Sequence, residues 1–417
     1  MIGTEAEISS FPSWINKEFI ETVLNNGHDE TKLRVETIDL QPGCKEGMSH
    51  TSNIFRVTAT VRRGESATCE KRSIILKCLQ ENWETKDVPK DNDPTQMETM
   101  MLGEVMPEVH RLLRSVEGEA FRPVAPLCYL TGRSPVPFLA IEDLSPAGFR
   151  TADPARPLDY QHCAAVVRTY ARLHAASARI LKDQPHYKTV FDPKNTVTEG
   201  TQQYFQQLSD KIFKAVARQL RVYKGYESYA EKYERLAEKY TRDVFRYWRS
   251  SEIRLPVMLH GDCWKNNFMF TYENENITDV RLIDFQLSKV HSGAADLLYF
   301  LYMNASEEVH RDHVDTLLAD YHGTLVALLR RLDMAAEADS YPLEALVEDM
   351  QAGGACAVFF CALSCMSVTS HEYGAEFEKL FHRADYSGSF LEDAFRNPYS
   401  VSYLKYLTPI FDRKGFL

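Results

Sequence analysis

Apolar and polar residues alternate in several short segments of the first third of the chain. These segments are rich in β-branched residues and are bounded by Gly and Pro, a pattern that is typical of half-buried strands. It predicts strands over residues 33–40, 53–61, 72–79, 124–130 and 138–141. Between the third and the fourth strand, apolar residues at helical spacing predict a helix over residues 95–114, which Pro107 is expected to kink or restart.

Longer helical patterns dominate the chain after a Pro-rich stretch at residues 145–157. Apolar residues recurring at helical spacing predict helices over residues 159–182, 202–219, 228–249, 307–332 and 343–369. Two short strand-like pieces, residues 255–259 and 280–283, interrupt them. We therefore expect an α+β fold with a β-rich N-terminal lobe, residues 1–143, and a mainly helical C-terminal lobe, residues 144–417. Two lobes also suit a chain that exceeds the roughly 250–300 residues of a single core.

The composition is that of an ordinary globular protein. Hydrophobic residues make up 44% of the 417 residues and charged residues 26%, which favours neither disorder nor a fibrous class. The net charge of -11 argues against general binding to nucleic acid, because contacts to a phosphate backbone need Lys and Arg in excess. Nucleic acid is therefore not an expected partner, and no protein partner can be inferred.

The cysteines and the apolar segments bear on the cellular location. Cys356, Cys361 and Cys365 belong to an apolar run at residues 355–368, and their spacings suit a buried helix with reduced thiols. That run is too short to cross a membrane. The first 25 residues show neither the apolar block of a signal peptide nor the composition of a transit peptide. We expect a cytoplasmic protein without membrane insertion.

The densest polar cluster lies between two apolar segments and contains His260, Asp262 and Asn267. Asp and Asn five positions apart match the spacing of a phosphoryl-transfer loop, in which the Asp orients the acceptor hydroxyl and the Asn binds Mg²⁺. Taken alone, such a pattern is more often a capped turn. A second apolar strand ends at Asp284, however, and this carboxylate can supply another Mg²⁺ ligand. The combination favours catalysis.

Lys77 lies inside an apolar strand, where an unpaired charge would be costly. A partner on the following helix and the α- and β-phosphates of ATP would together satisfy it. Glu104 is the preferred partner, and Glu98 and Glu108 stay open because Pro107 blurs the helical register. The alternative is a strand lysine that reaches solvent.

A loop between the first two predicted strands can cover the phosphates. Gly43 and Gly47 would let backbone N–H groups approach phosphate, and Ser52 can add a hydroxyl donor. The glycine pattern is degenerate, and an ordinary hairpin turn explains it equally well when the loop is considered alone.

Adenine candidates follow the last strand of the N-terminal lobe. There the chain passes from an apolar strand into Glu142, Asp143 and Leu144. Adenine is commonly held at such a connection by backbone groups. We therefore expect these residues to contribute through their main chains rather than their side chains.

Three segments form a recognisable combination with these features. They are His260-Gly261-Asp262-Cys263-Trp264 with Asn266-Asn267, then Asp284-Phe285-Gln286, and then Asp296-Leu297-Leu298-Tyr299-Phe300-Leu301. In them the chain closely resembles the ecdysteroid kinase-like (CHK kinase-like) family, which is related to choline kinases and aminoglycoside phosphotransferases. The resemblance covers roughly residues 30–370.

The resemblance implies a protein-kinase-like bilobal fold and a small-molecule kinase that uses ATP and Mg²⁺. It assigns the catalytic base to Asp262, the metal ligands to Asn267 and Asp284, the phosphate-binding lysine to Lys77 with Glu104 as its partner, and structural support to His260 and Asp296. Lys265 lies one place after the position of a phosphate-contacting lysine in protein kinases. Its side chain is therefore expected either to contact phosphate or to extend into solvent.

The spacing after the catalytic loop argues against a protein substrate. Twelve positions from Asp284 to Asp296 leave no room for a long activation segment, and Gln286 replaces the Gly of the D-F-G triplet. We expect a small hydroxylated acceptor, such as the steroid alcohol that the family name suggests or a xenobiotic being detoxified. A choline- or aminoglycoside-type kinase and a catalytically inactive nucleotide- or ligand-binding protein are the alternatives.

Overall fold

A computed structural model describes residues 11–26, 32–43, 52–64, 68–79, 94–196, 198–373, 380 and 389–417. The chain divides into two compact units. The first comprises Met1–Pro107 and Ala125–Phe149, and the second comprises Glu108–Val124 and Arg150–Leu417. The predicted lobe boundary between residues 143 and 144 stays a prediction.

One antiparallel sheet forms the centre of the first unit. Its strands are β1 (Leu33–Pro42), β2 (Ser52–Arg63), β3 (Cys69–Leu79), β4 (Cys128–Gly132) and β5 (Phe138–Glu142). They lie in the order β1-β2-β3-β5-β4. Helix α1 (Lys17–Asn26) adds Ile20 and Val23 to a core that contains Val57 and Ile74 of the sheet. The predicted strands are confirmed, although the fourth begins later than expected.

A helical segment follows β3 and contains an unusual turn. It consists of α2 (Pro94–Met100), a π-helical turn (Met101–Val105) and α3 (Met106–Glu117). Pro107 is the second residue of α3, two positions after the end of the π-helical turn. A π turn shifts the hydrogen-bond pairing by one residue, and this accommodates the N–H that proline lacks. The segment therefore continues as a helix through the position where the sequence predicts a kink or a restart.

Helices make up most of the second unit. They are α4 (Tyr160–Asp183), α5 (Tyr187–Val190), α6 (Glu199–Val222), α7 (Glu227–Trp248), α8 (Ala294–Asn304), α9 (Glu307–Asp312), α10 (Val314–Arg331), α11 (Ala335–Asp339), α12 (Leu343–Ala352), α13 (Gly354–Tyr373), α14 (Phe390–Arg396) and α15 (Pro398–Arg413). The five predicted helices are present. The helix predicted over residues 307–332 is divided at His313, and the one predicted over residues 343–369 is divided at Gly353. A Cβ at Gly353 would lie 2.5 Å from Leu298.

Short strands of the second unit hold the polar loops. Strands β6 (Arg150–Thr151), β8 (Phe268–Glu273) and β9 (Asn276–Leu282) form one antiparallel sheet, and β7 (Pro256–Met258) pairs with β10 (Val290–Ser292). The turn between β8 and β9 contains Asn274 and Glu275, with left-handed φ values of 48° and 68°. Two such residues are typical of a tight hairpin turn of type I′.

The order of elements, an antiparallel sheet followed by helices, confirms the predicted α+β class. The helix with three cysteines is also as expected, since Cys356, Cys361 and Cys365 are buried. In the described part of the chain, no single helix is long and apolar enough to cross a membrane. The pair Leu343–Ala352 and Gly354–Val368, bent by 68°, reaches that length and composition only when both helices are counted together.

Candidate active site

The β8–β9 hairpin brings Asn267 and Asp284 together. Phe268 pairs with Leu282 at the open end of the hairpin, and the N–H of Ile283 donates to the carbonyl oxygen of Asn267 at 3.0 Å. Residues 17 positions apart in sequence thus become backbone neighbours. Asp284 has a φ of 68°, a left-handed conformation that is uncommon for Asp and concentrates at functional sites. The two predicted metal ligands lie side by side.

Both carboxylate oxygens of Asp262 accept hydrogen bonds. The amide nitrogen of Asn267 donates to Oδ2 at 2.9 Å and to the Asp262 carbonyl oxygen at 3.0 Å, and the Tyr299 hydroxyl donates to Oδ1 at 3.0 Å. Burial raises the pKa of Asp262 and the neighbouring Asp284 carboxylate raises it further, against the two hydrogen bonds. A raised pKa suits a general base.

The amide of Asn267 is oriented by the same contacts. Because its NH₂ group donates to Asp262, its side-chain carbonyl oxygen is the atom left for a metal ion. An amide oxygen beside the Asp284 carboxylate is the hard-oxygen ligand type that Mg²⁺ prefers, with phosphate and water completing its coordination. Among the described residues no cluster of three or more His, Cys, Asp or Glu side chains could hold a metal ion. The Asn267 amide oxygen and the Asp284 carboxylate could hold Mg²⁺ together with phosphate and water.

Gly261 allows the loop to pass close to the backbone after Asp284. Its φ is 84°, and a Cβ at this position would lie 2.1 Å from the carbonyl oxygen of Leu287. A larger residue would meet both a strained backbone and a fixed carbonyl. This glycine therefore sets how closely residues 285–288 approach the catalytic loop.

His260 connects the loop of Asp262 to the backbone just before Asp284. It is fully buried, its Nδ1 accepts from the N–H of Asp262 at 3.2 Å, and its Nε2 lies 2.9 Å from the carbonyl oxygen of Ile283. The neutral tautomer with hydrogen on Nε2 satisfies both contacts. His260 thus links the residue before Asp284 to the predicted base, which supports the predicted structural role.

The Asp296 carboxylate binds the backbone of the loop that precedes Asp262. The carboxylate accepts the N–H groups of His260 (2.7 Å) and Gly261 (3.0 Å), the Cys263 thiol (3.1 Å) and the His174 ring (3.2 Å). Burial opposes ionisation, but the hydrogen bonds and charges, led by His174, lower the pKa of Asp296. The side chain is therefore an ionised acceptor of four hydrogen bonds, an arrangement that is consistent with a supporting role for Asp296.

Asn304 and Lys265 fix the other end of the loop. Asn304 accepts from the N–H of Lys265 at 2.7 Å and donates to the carbonyl oxygen of Cys263 at 2.6 Å. The Lys265 ammonium group is buried and donates to the carbonyl oxygens of Pro154 and Arg156. The sequence left phosphate and solvent open for Lys265, and the structure shows a third arrangement that joins two loops.

Lys77 pairs with Glu98, not with Glu104. The Lys77 Nζ donates to both Glu98 oxygens at 2.7 and 2.9 Å, and their side chains are 14% and 6% exposed. Glu104 is exposed in the π-helical turn, and Glu108 binds Arg111. The choice of Glu104 was therefore wrong, because the helix begins at residue 94 and presents an earlier residue to β3.

The phosphate-loop candidates are only partly described. Gly47 lies outside the described residues, and Ser52 is the first residue of β2. The N–H of Gly43 donates to the carbonyl oxygen of Ile54 at 2.7 Å, and a Cβ there would lie 2.5 Å from the Ile54 side chain. This N–H is engaged within the sheet, so the glycine serves close packing of the chain onto β2.

The adenine candidates, residues 142–144, form hydrogen bonds with other residues of the first unit. The buried Asp143 carboxylate accepts from Ser73 (2.6 Å) and Arg56 (2.8 Å). Burial alone would raise the pKa of Asp143, but these hydrogen bonds and one from the Ser145 N–H lower it below its ordinary value. The N–H of Glu142 donates to Leu127, and the carbonyl oxygen of Leu144 accepts two loop N–H groups. The Asp143 side chain thus joins Ser73 of β3 and Arg56 of β2, and the adenine assignment stays a prediction.

Comparison with known families decides the relationship. A model of the ecdysteroid kinase-like family matches residues 46–334. The chain belongs to the ecdysteroid kinase-like family. This is a family of kinase-like phosphotransferases, and the predicted resemblance is confirmed. No curated protein sequence matches this ecdysteroid kinase-like protein significantly.

Solved structures similar to this ecdysteroid kinase-like protein are aminoglycoside phosphotransferases. The GDP and kanamycin complex of APH(2")-IIia shares 11% identity and covers 92% of this chain and 100% of its own, with a TM-score of 0.38. The GDP complex of wild-type aminoglycoside 2'-phosphotransferase-IIIa shares 9% identity and covers 88% and 98%, with a TM-score of 0.34. Likeness at this level carries no argument about substrate.

Three residues of this ecdysteroid kinase-like protein had no assigned role from sequence. His174 contacts Asp296, Asn304 binds the loop backbone, and Tyr299 contacts the predicted base. Tyr299 and Asn304 are 3 and 8 positions after Asp296 on α8. Helical periodicity from Asp296 places Tyr299 on a neighbouring face, which was an available signal. His174, on a distant helix, gave none.

Proposed function

We propose that the protein is an ATP-dependent kinase that transfers the γ-phosphoryl group to a hydroxyl of a small, lipophilic acceptor. One observation carries the proposal: Asp262, Asn267 and Asp284 are connected by direct hydrogen bonds and strand pairing. Membership of a phosphotransferase family supports it.

Each residue has one task in this proposal. Asp262 accepts the proton of the acceptor hydroxyl. Asn267 and Asp284 hold Mg²⁺, which when bound neutralises charge on the phosphate oxygens. Lys77, held by Glu98, contacts the nonreacting phosphates of ATP. The backbone of residues 142–144 is proposed to receive adenine.

The acceptor class and the location are finer parts of the proposal. The family description favours a steroid alcohol such as an ecdysteroid, and a hydroxylated xenobiotic undergoing detoxification has the same reactive group. Cytoplasmic location is retained as a proposal. It is supported by the described cysteines, which are free thiols.

The decisive experiment separates nucleotide binding from transfer. ATP with Mg²⁺ should raise the midpoint of thermal unfolding in wild type and in Asp262→Asn, because the base does not hold the nucleotide. Phosphoryl transfer should fall about 10²- to 10⁴-fold in Asp262→Asn. The exposed Asp315→Asn serves as the control and should retain wild-type transfer. An active Asp262→Asn enzyme would overturn the assignment of the base.

A further inference from the structure

Tyr299 occupies a special position on α8. All residues of this helix are described, and Tyr299 alone is not buried. Its hydroxyl donates to Oδ1 of Asp262 at 3.0 Å. The helix therefore presents one half-buried aromatic residue, directly beside the predicted base.

Phe360 of α13 stacks on Tyr299. Their ring centroids are 4.1 Å apart and the ring planes differ by 9°. Phe360 is also half-buried, whereas the preceding Phe359 is buried and stacks on Tyr240. We call Tyr299 and Phe360 the aromatic wall. Two adjacent phenylalanines of one helix thus face different surroundings, the core and the surface beside Asp262.

The hydrogen bonds of Asp262 place the acceptor against this wall. Asn267 donates to Oδ2 on the side of the predicted metal ligands, whereas Oδ1 lies on the side of the aromatic wall, where Tyr299 donates to it. A carboxylate oxygen can accept two hydrogen bonds, and Oδ1 already accepts the one from Tyr299. Two donors on one oxygen lie within a few ångströms of each other. An acceptor hydroxyl that donates to Oδ1 would therefore bring its neighbouring carbon atoms against the aromatic wall.

We propose that the aromatic wall is the acceptor-binding surface and that Tyr299 positions Asp262. This inference rests on the proposed kinase function. An apolar acceptor gains contact area when it packs against the two rings.

The step is balanced without another reactant. The acceptor O–H bond breaks and its proton passes to Asp262, while the acceptor oxygen forms a bond to the γ-phosphorus. The bond between that phosphorus and the bridging oxygen breaks, and ADP leaves. Tyr299 keeps its proton throughout and holds the carboxylate in place.

Steady-state kinetics with Mg²⁺, ATP and ecdysone as the probe acceptor test the wall. Phe360→Leu should raise the KM for ecdysone about 3- to 10-fold, the effect of one lost aromatic contact, with the KM for ATP unchanged. Phe359→Leu is the matched control. It should lower thermal stability because it changes the core, but it should leave the KM for ecdysone unaltered in the folded enzyme.

Tyr299→Phe tests positioning separately, because the ring and its stack are kept. Its kcat should fall about tenfold at nearly constant KM, as expected for a misplaced base. Tyr302→Phe, one turn further along α8, is the control with wild-type kcat. Where Phe360→Leu folds poorly, Phe360→Trp keeps an aromatic face and should retain the wild-type KM.

The outcomes distinguish failure of the aromatic wall from failure of the proposed kinase function. An active Asp262→Asn enzyme, or the absence of stabilisation by ATP and Mg²⁺, overturns the kinase function. An inactive Asp262→Asn enzyme together with an unchanged ecdysone KM in Phe360→Leu overturns the wall alone. Absence of ecdysone phosphorylation, or faster phosphorylation of choline or kanamycin, overturns the proposed acceptor class.

Discussion

Replacement of Asp296 by Asn tests how the catalytic loop is held. The two side chains have nearly the same shape, but Asn has one oxygen and one NH₂ group. In the wild type Oδ1 accepts from Gly261 and Cys263, and Oδ2 accepts from His260 and His174. Whichever way the amide turns, its NH₂ group faces two donors. The Asn variant therefore cannot reproduce the contacts of the carboxylate.

The magnitude follows from the bonds that are lost. A hydrogen bond to a charged group contributes about 1.5–3 kcal/mol. His174 can remove one conflict by changing its tautomer, since its other nitrogen contacts the Tyr321 hydroxyl. One or two bonds are then lost, and we expect Asp296→Asn to reduce the free energy of unfolding by roughly 2–6 kcal/mol. Urea denaturation measures this loss.

The same substitution has a defined dependence on pH. Burial would raise the pKa of Asp296, but the hydrogen bonds and charges, led by His174, lower it. The ionised form therefore stabilises the fold fully above the unfolded pKa of about 3.9, and this contribution is lost as pH falls through the folded pKa. The difference between wild type and Asp296→Asn should be constant from pH 5 to 8 and shrink below about pH 4.

The exposed Asp339→Asn is the control for these measurements, and it should unfold like the wild type. Asp296→Asn should also lower kcat, because the N–H groups of His260 and Gly261 lose their common acceptor. An Asp296→Asn enzyme with wild-type kcat and an unfolding free energy within about 1 kcal/mol of wild type would refute this account of the loop.

Two further predictions concern Lys77 and Gly261. Glu98→Gln should weaken ATP binding and lower the free energy of unfolding by about 1–3 kcal/mol, because Lys77 loses a charged partner, whereas Glu104→Gln should leave ATP binding unchanged. Isothermal titration with ATP and Mg²⁺ compares them, and equal effects of the two variants would contradict the pairing. Gly261→Ala should abolish transfer and lower the unfolding midpoint, because its Cβ would collide with the Leu287 carbonyl; a fully active variant would show that the loop is not constrained there.

The sequence was most informative where chemistry is local. The spacing of Asp262 and Asn267, with Asp284 at the end of an apolar strand, predicted a site that the β8–β9 hairpin indeed assembles. Glu104 was preferred over the actual partner of Lys77, Glu98, because the sequence does not show which turn of the helix faces β3; the π-helical turn at Met101–Val105 that follows Glu98 was not predicted either. Periodicity assumes 3.6 residues per turn and cannot anticipate such a turn.

Long-range contacts explain the remaining omissions. His174 reaches Asp296 across 122 positions, and nothing in its own helix distinguishes it from an ordinary core histidine. The stacking of Phe360 on Tyr299 could not be predicted either, because the two residues belong to different helices, α13 and α8. The helix predicted over residues 343–369 is divided at Gly353, where the absence of a side chain allows Leu298 to approach the backbone.

The β8–β9 hairpin also has a consequence for the order in which the site forms during folding. Its tight turn at Asn274 and Glu275 closes a short loop, and isolated hairpins form within about 1–10 μs. Asn267 and Asp284 can therefore meet early, before any distant helix docks. The proposed base, Asp262, depends instead on α8, which must first bring Asp296 and Tyr299 to the loop. A partly folded second unit would thus have the two proposed metal ligands in place while the proposed base is still unsupported.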